Sequence, residues 1–194
     1  MKYMKEFINS FSEKPVVEIN DIKRFLKYRN ANGNYYKIFI TNLIKSKKLL
    51  RITRGAYTFY PEIEYVGFAF YPFYYGLEEA LSLYGLWDQE TNPVIITPRK
   101  VRNGIRQFQE RNYIVKWIDR KMFFGYKYIK YDKFYIPVSD IEKTFIDLVY
   151  FKVHMYNDVM ENLKEKINMK TLNEYLLRSP ENIKKIVSYK LNKK

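Results

Sequence analysis

Between residues 34 and 60 the chain reads NYYKIFITNLIKSKKLLRITRGAYTFY, and its hydrophobic period changes part-way along. In the first half, apolar residues at Tyr36, Phe39, Ile40, Leu43 and Ile44 share one face of a 3.6-residue period. Lys37, Thr41 and Lys45 recur at intervals of four on the opposite face and project together. Past Lys48 the segments LLRIT and AYTFY are rich in β-formers and flank Arg54-Gly55, a pair suited to a hairpin that needs a positive φ. A helix followed at once by a tight two-stranded ribbon admits few folds.

What precedes this stretch narrows the choice. Met4, Phe7, Ile8 and Phe11 are spaced for one helix; after Lys14-Pro15, Asn20 is expected to cap a second, with Ile22, Phe25 and Leu26 facing inward. The segment RNANGNY, residues 29–35, supplies turn chemistry before the third helix. Helix, helix, helix and ribbon are complete by residue 60, the order of a winged helix-turn-helix. Lys47, Lys48, Arg51 and Arg54 place like charge along the ribbon with no acid nearby, an arrangement that repels itself unless an anion relieves it.

The net charge of +14 is unevenly spread. Residues 1–60 carry 13 Lys and Arg against 4 acids, whereas residues 61–98 carry 6 acids and no cation. Residues 99–194 return to 22 cations against 11 acids. Lysines serving only solubility would be scattered, so the cation-free block is expected to face away from a polyanion.

At 194 residues and 47% hydrophobic the chain can bury a core without staples. It has no cysteine, which excludes disulfides, thiolate metal sites and a cysteine nucleophile. No run approaches the roughly 20 apolar residues of a membrane span, so no membrane association and a cytoplasmic location are expected.

Beyond residue 60 the expected fold is a mixed α/β domain ending in helices, which makes the whole chain α+β, with domains at 1–60 and 61–194. A linker is expected at residues 60–70. Leu77, Ala80, Leu81 and Tyr84 mark a helix that Gly85 can stop. PVIITP and YIVKWI read as strands, and MFFGYKYIKYDKFYIPV as one or two more with a turn near Tyr131-Asp132-Lys133. Ser139-Asp140-Ile141-Glu142 has the form of a capping box, followed by an apolar stripe at Ile141, Phe145, Leu148 and Val149. From residue 157 the pattern is of short amphipathic helices broken near Asn168 and Ser179-Pro180.

Catalytic chemistry finds little support in the residues. His154 is the only histidine, and it reads as a surface or satisfied side chain. The seven glycines form no phosphate-binding loop, and the HExxH metal spacing is absent. Asp140, Glu142 and Asp147 are the carboxylates a two-metal site could use, but the first two are better explained by a helix N-terminus. A second basic patch, Arg99, Lys100, Arg102, Arg106 and Arg111, is interleaved with Phe108, Tyr113 and Trp117. Auxiliary phosphate contact by Arg99, Lys100, Arg102 and Arg106 is the preferred reading there, and base stacking the other.

Three segments in order resemble the AbiE-type (AbiEi) family of antitoxins and transcriptional regulators of viral defence systems. They are RITRGAYTFYP at 51–61, YYGLEEALSLYGL at 74–86 and IPVSDIEKTFIDLVYF at 136–151. The first is similar to the family's Arg-Gly-x-Tyr wing strand, carried here by Arg54, Gly55 and Tyr57. The resemblance implies a winged helix that represses its own promoter, a C-terminal antitoxin domain, and a neighbouring nucleotidyltransferase-like toxin as functional partner. It implies no catalytic residue, metal or cofactor.

The expected interface with double-stranded DNA follows from the helix and ribbon. Asn34, Tyr35, Lys37 and Thr41 are placed nearest base edges, while Lys45, Lys47, Lys48, Arg51 and Arg54 meet phosphate, with Gly55 shaping the turn. Two other classes stay open: a winged helix that meets protein or RNA, and a nuclease or nucleotidyltransferase within 61–194.

Overall fold

The computed structural model describes residues 2–192 and has α+β architecture. The chain divides into two compact units. One holds the residues up to Tyr71 together with Phe108–Arg111; the other holds Pro72–Gln107 and the residues from Asn112 onward.

In the first unit the order is α1 (Met4–Phe11), β1 (Val17–Glu18), α2 (Ile19–Lys27), α3 (Tyr35–Lys45), β2 (Leu50–Thr53) and β3 (Ala56–Thr58). The three helices lie where the apolar spacing predicts them, because each must bury one stripe. Phe7 of α1 is fully buried, and its ring meets Phe25 at 5.2 Å and Phe39 at 5.3 Å, both edge-on. Edge-to-face contact suits the ring quadrupoles, so the aromatics lock α1, α2 and α3 about one point. Val17, Ile22, Leu26, Leu43, Leu49 and Tyr57 complete this core.

Two expectations are corrected here. Asn20 lies inside the first turn of α2, whose N-cap is Glu18; the Glu18 N–H donates to the Asp21 carboxylate at 3.2 Å. Glu18 is held extended because Val17 and Glu18 form a third strand, paired antiparallel with β3 in the order β1-β3-β2. The expected linker at 60–70 is instead a 3₁₀ helix, Ile63–Phe70, with Ile63, Tyr65, Val66 and Phe70 buried. Its apolar content is too high to be left in water.

The second unit contains β4 (Tyr74–Tyr75), α4 (Glu78–Leu83), β5 (Val94–Thr97), β6 (Gly104–Phe108) and β7 (Arg111–Trp117) except for their facing end residues Phe108 and Arg111, β8 (Tyr126–Tyr131), β9 (Phe134–Ser139), α5 (Ile141–Tyr150), α6 (Asn157–Glu165), α7 (Met169–Arg178) and α8 (Glu181–Asn192). The strands make one sheet in the order β6-β7-β5-β4-β9-β8. β5 runs parallel to β7 and β4 parallel to β9, while β4–β5 and β8–β9 are antiparallel. The turn between β8 and β9 falls at Asp132-Lys133, within the expected stretch.

α5 is buried almost all round, from Glu142 to Val149, which makes it the centre of this unit. Asp140 caps it, accepting from the Lys143 N–H at 2.8 Å and from the Tyr175 hydroxyl at 2.7 Å. One turn further in, the Lys143 ammonium pairs with Asp147, and the Tyr74 hydroxyl donates to the other Asp147 oxygen at 2.8 Å. Lys143 also lies over the Phe124 ring at 5.0 Å and the Tyr74 ring at 5.5 Å. Burial pulls the Lys143 ammonium below its ordinary pKa and pushes the Asp147 carboxyl and the Tyr74 hydroxyl above theirs.

Candidate nucleic-acid interface

α3 and the β2–β3 hairpin form a groove whose walls carry much of the expected interface. Lys37, Ile40, Thr41 and Ile44 enter from α3, Arg51, Arg54, Gly55 and Tyr57 from the hairpin, and Ile19 from the start of α2. Lys37, Thr41, Arg51 and Arg54 are exposed, and none of the residues lining the groove is acidic.

Local chemistry explains why the hairpin holds its place. Gly55 sits at φ 84°, a left-handed conformation that an L side chain resists, and its carbonyl accepts from the Ile19 N–H at 2.8 Å. Pairing between β2 and β3 shifts between Arg51 and Thr53, a bulge that increases the ribbon's twist. With β1 paired on the other side of β3, the ribbon is tied to the entry of α2.

The remaining expected residues are placed differently. Lys47 and Lys48 lie in the turn that ends α3, not along the ribbon. Lys47 has φ 55°, and the Lys48 N–H bonds back to the Leu43 carbonyl at 3.0 Å, which closes the helix C-terminus. Lys45 is exposed in the last turn of α3 but does not line the groove. Tyr35 is half-buried with its ring 6.0 Å from Phe39, so it packs on the core.

Asn34 belongs to a second groove, lined by Lys23 and Lys27 of α2, Asn32 and Gly33 of the turn, and Tyr36. The Lys23 ammonium stands 4.7 Å from the Tyr36 ring centre. Tyr36 lines both grooves and is half-buried, packing on the core to whose stripe the sequence periodicity assigns it. Ile44, from the same stripe, is 36% exposed. Lys23 and Lys27 carry the signal that could have found them, an i,i+4 pair of cations flanking the stripe of Ile22 and Leu26.

In the second unit the auxiliary patch separates. Arg99 and Lys100 follow β5 and share a pocket with Trp117 and Arg120. Arg102 is exposed before β6, and its carbonyl accepts from the Arg106 guanidinium at 3.0 Å. Arg106 is half-buried and also engages Tyr113, whose hydroxyl burial pushes above the ordinary value against the pull of that cation. Of the interleaved aromatics, Phe108 and Tyr113 are core, and Trp117 alone is exposed.

The carboxylates weighed for metal chemistry have other partners. Asp140 caps α5, Asp147 pairs with Lys143 and Tyr74, and Glu142 accepts from the Asn168 N–H at 2.7 Å, which joins α5 to the start of α7. His154 is exposed beyond the end of α5. Among the described residues no helix is long and apolar enough to cross a membrane. No family model matches the chain, and no curated protein matches it.

Proposed function

We propose that the first unit is a winged helix-turn-helix and that the protein is a DNA-binding transcriptional regulator. α3 enters the major groove, and the β2–β3 hairpin is the wing that lies along the flanking backbone. The observation that carries this reading is the convergence of Lys37 and Thr41 with Arg51, Arg54 and Gly55 on one groove lined by no acid. Cations meet phosphate, Thr41 reaches a base edge, and the exposed Ile44 side chain meets a thymine methyl group.

Within that class, the segments around Arg54-Gly55-Ala56-Tyr57, residues 74–86 and residues 136–151 support an antitoxin of AbiE type that represses its own promoter in the cytoplasm. Its functional partner is then a nucleotidyltransferase-like toxin encoded beside it, and the protein itself carries no catalysis.

A gel shift with the protein's own upstream DNA, against scrambled DNA and RNA of equal length, tests the reading. Selective retention of the native duplex supports repression; equal binding of all three overturns it. Each phosphate contact contributes about 0.9 to the slope of log K against log salt. Arg54→Ala is expected to weaken all duplexes alike and to reduce that slope by about one. An unchanged slope with lost sequence preference would remove Arg54 from the phosphate role.

A further inference from the structure

β5 and β7 run parallel, with Thr97 opposite Trp117, so both strands deliver their carboxyl ends to the same place. The order β6-β7-β5 carries the chain leaving β5 across the end of β7 to reach β6, and a crevice opens beside that crossing. Here the crevice is a pocket of about 520 Å³ lined by Pro98, Arg99 and Lys100 after β5 and by Trp117, Asp119 and Arg120 at the end of β7. That volume lies within the range of small-molecule sites.

The walls are held by backbone bonds, so the pocket is preformed. The Ile118 N–H donates to the Thr97 carbonyl at 3.0 Å, and the Trp117 N–H to the Asn103 side-chain oxygen at 2.5 Å. Thr97 Oγ1 donates to the Pro72 carbonyl at 2.7 Å and accepts from the Arg99 N–H at 3.2 Å. Asp119 Oδ1 accepts from the Lys121 N–H at 2.8 Å, which turns the chain away from the sheet after β7.

The chemistry of the lining is mixed in a telling way. Three cations, Arg99, Lys100 and Arg120, surround one carboxylate, so an anion is favoured. Trp117, a residue type that usually buries its ring, is 38% exposed among them. An indole face stacks on a flat heteroaromatic ring, guanidinium groups hold phosphate oxygens, and a lone carboxylate accepts from a hydroxyl. Those three demands meet in a nucleoside phosphate.

We propose that this pocket binds a nucleoside 5′-phosphate, with the base against Trp117, the phosphate on Arg99, Lys100 and Arg120, and the ribose hydroxyls toward Asp119. The group arrives either as a free nucleotide or as the 5′-phosphorylated end of a single strand. The site belongs wholly to the second unit and does not depend on duplex binding by the first.

The test is calorimetric titration of the full chain with adenosine 5′-monophosphate, adenosine, inorganic phosphate, and a short RNA carrying either a 5′-phosphate or a 5′-hydroxyl. Tryptophan emission is followed in parallel. The nucleotide or the 5′-phosphorylated strand is expected to bind saturably and quench emission, with adenosine and phosphate alone at least about tenfold weaker. Whichever of the two binds tighter identifies the source. Trp117→Ala should weaken binding about tenfold, and Arg120→Ala, an exposed position that leaves the fold intact, by a similar factor. Trp87→Phe should keep the quench, and Arg54→Ala should keep the affinity. Absence of saturable binding by both phosphorylated ligands overturns the proposal, as does binding indifferent to both Trp117→Ala and Arg120→Ala.

Discussion

Replacing Lys143 by Met retains the length of the stem inside α5 and removes only the ammonium. Both Lys143 and Asp147 have fully buried side chains, so the change leaves a buried carboxylate whose one remaining partner among those described above is the Tyr74 hydroxyl. Removing one member of a buried pair costs about 3–5 kcal/mol, chiefly through the uncompensated charge left behind. That cost should depend on pH, and the sign follows from burial. Asp147 already has its carboxyl pushed above the ordinary 3.8, and loss of the cation removes the largest influence pulling it down. A carboxyl with a raised folded pKa keeps its proton where the unfolded chain has lost it, so stability falls as pH rises through that window. Lys143→Met is therefore expected to cost least in mild acid and most above neutrality. Both tryptophans, Trp87 and Trp117, lie in the second unit, so urea unfolding followed by their emission reports that unit alone. The triple variant Lys143→Met, Asp147→Leu, Tyr74→Phe removes every polar member of the cluster and should return to wild-type stability or exceed it. A cost below about 1 kcal/mol for Lys143→Met, a cost independent of pH, or a triple variant no better than the single one would each refute the account.

Lys23→Ala with Lys27→Ala should lower the salt slope of duplex binding by about two without altering sequence preference, read by fluorescence anisotropy at several salt concentrations. Gly125 sits at φ 68°, and a Cβ there would come within 2.8 Å of Lys143 Cβ and of the Tyr175 ring. Gly125→Ala should thus lower stability in urea by about 2 kcal/mol or more. Asp140→Ala should cost about 1 kcal/mol as a lost helix cap, with Asp140→Asn recovering most of it; equal losses would show that the oxygen at the cap is not what matters.

The helices of the first unit were legible because each has one apolar stripe and a polar remainder, as in α2 with Ile22, Phe25 and Leu26. Asp132-Lys133 was legible for a similar reason, a short polar signal between apolar runs, but the cap was read one residue early: Ser139 and Glu142 have capping-box spacing, whereas Asp140 makes the cap and Glu142 accepts from the Asn168 N–H. β1 and β4, at two residues each, are too short for any period to register and exist only because a neighbouring strand waits for them. β6 was hidden beneath its own charge, since GIRQF has no alternation that outweighs Arg106. Lys37, Thr41, Arg51 and Arg54 are exposed along one groove, as helical spacing and hairpin chemistry lead one to expect. Of the five-residue stripe, Tyr36 packs half-buried on the core and only Ile44, at the last turn of α3, is exposed. The buried ion pair within α5 left no mark in the sequence, where a Lys four residues before an Asp reads as a surface pair.

The strand order of the second unit leaves β8 and β6 as the two margins of an open sheet. A bare margin offers unpaired backbone groups to any passing strand and so invites stacking into fibres. β8 meets that hazard with Lys127 and Lys130 in its own run and Lys133 at the turn, and β6 carries Arg106 with Arg102 just ahead. Two copies approaching margin to margin bring these cations face to face. Part of the basicity of residues 99–194 thereby opposes margin-to-margin pairing, with cations other than the Arg99, Lys100 and Arg120 of the pocket.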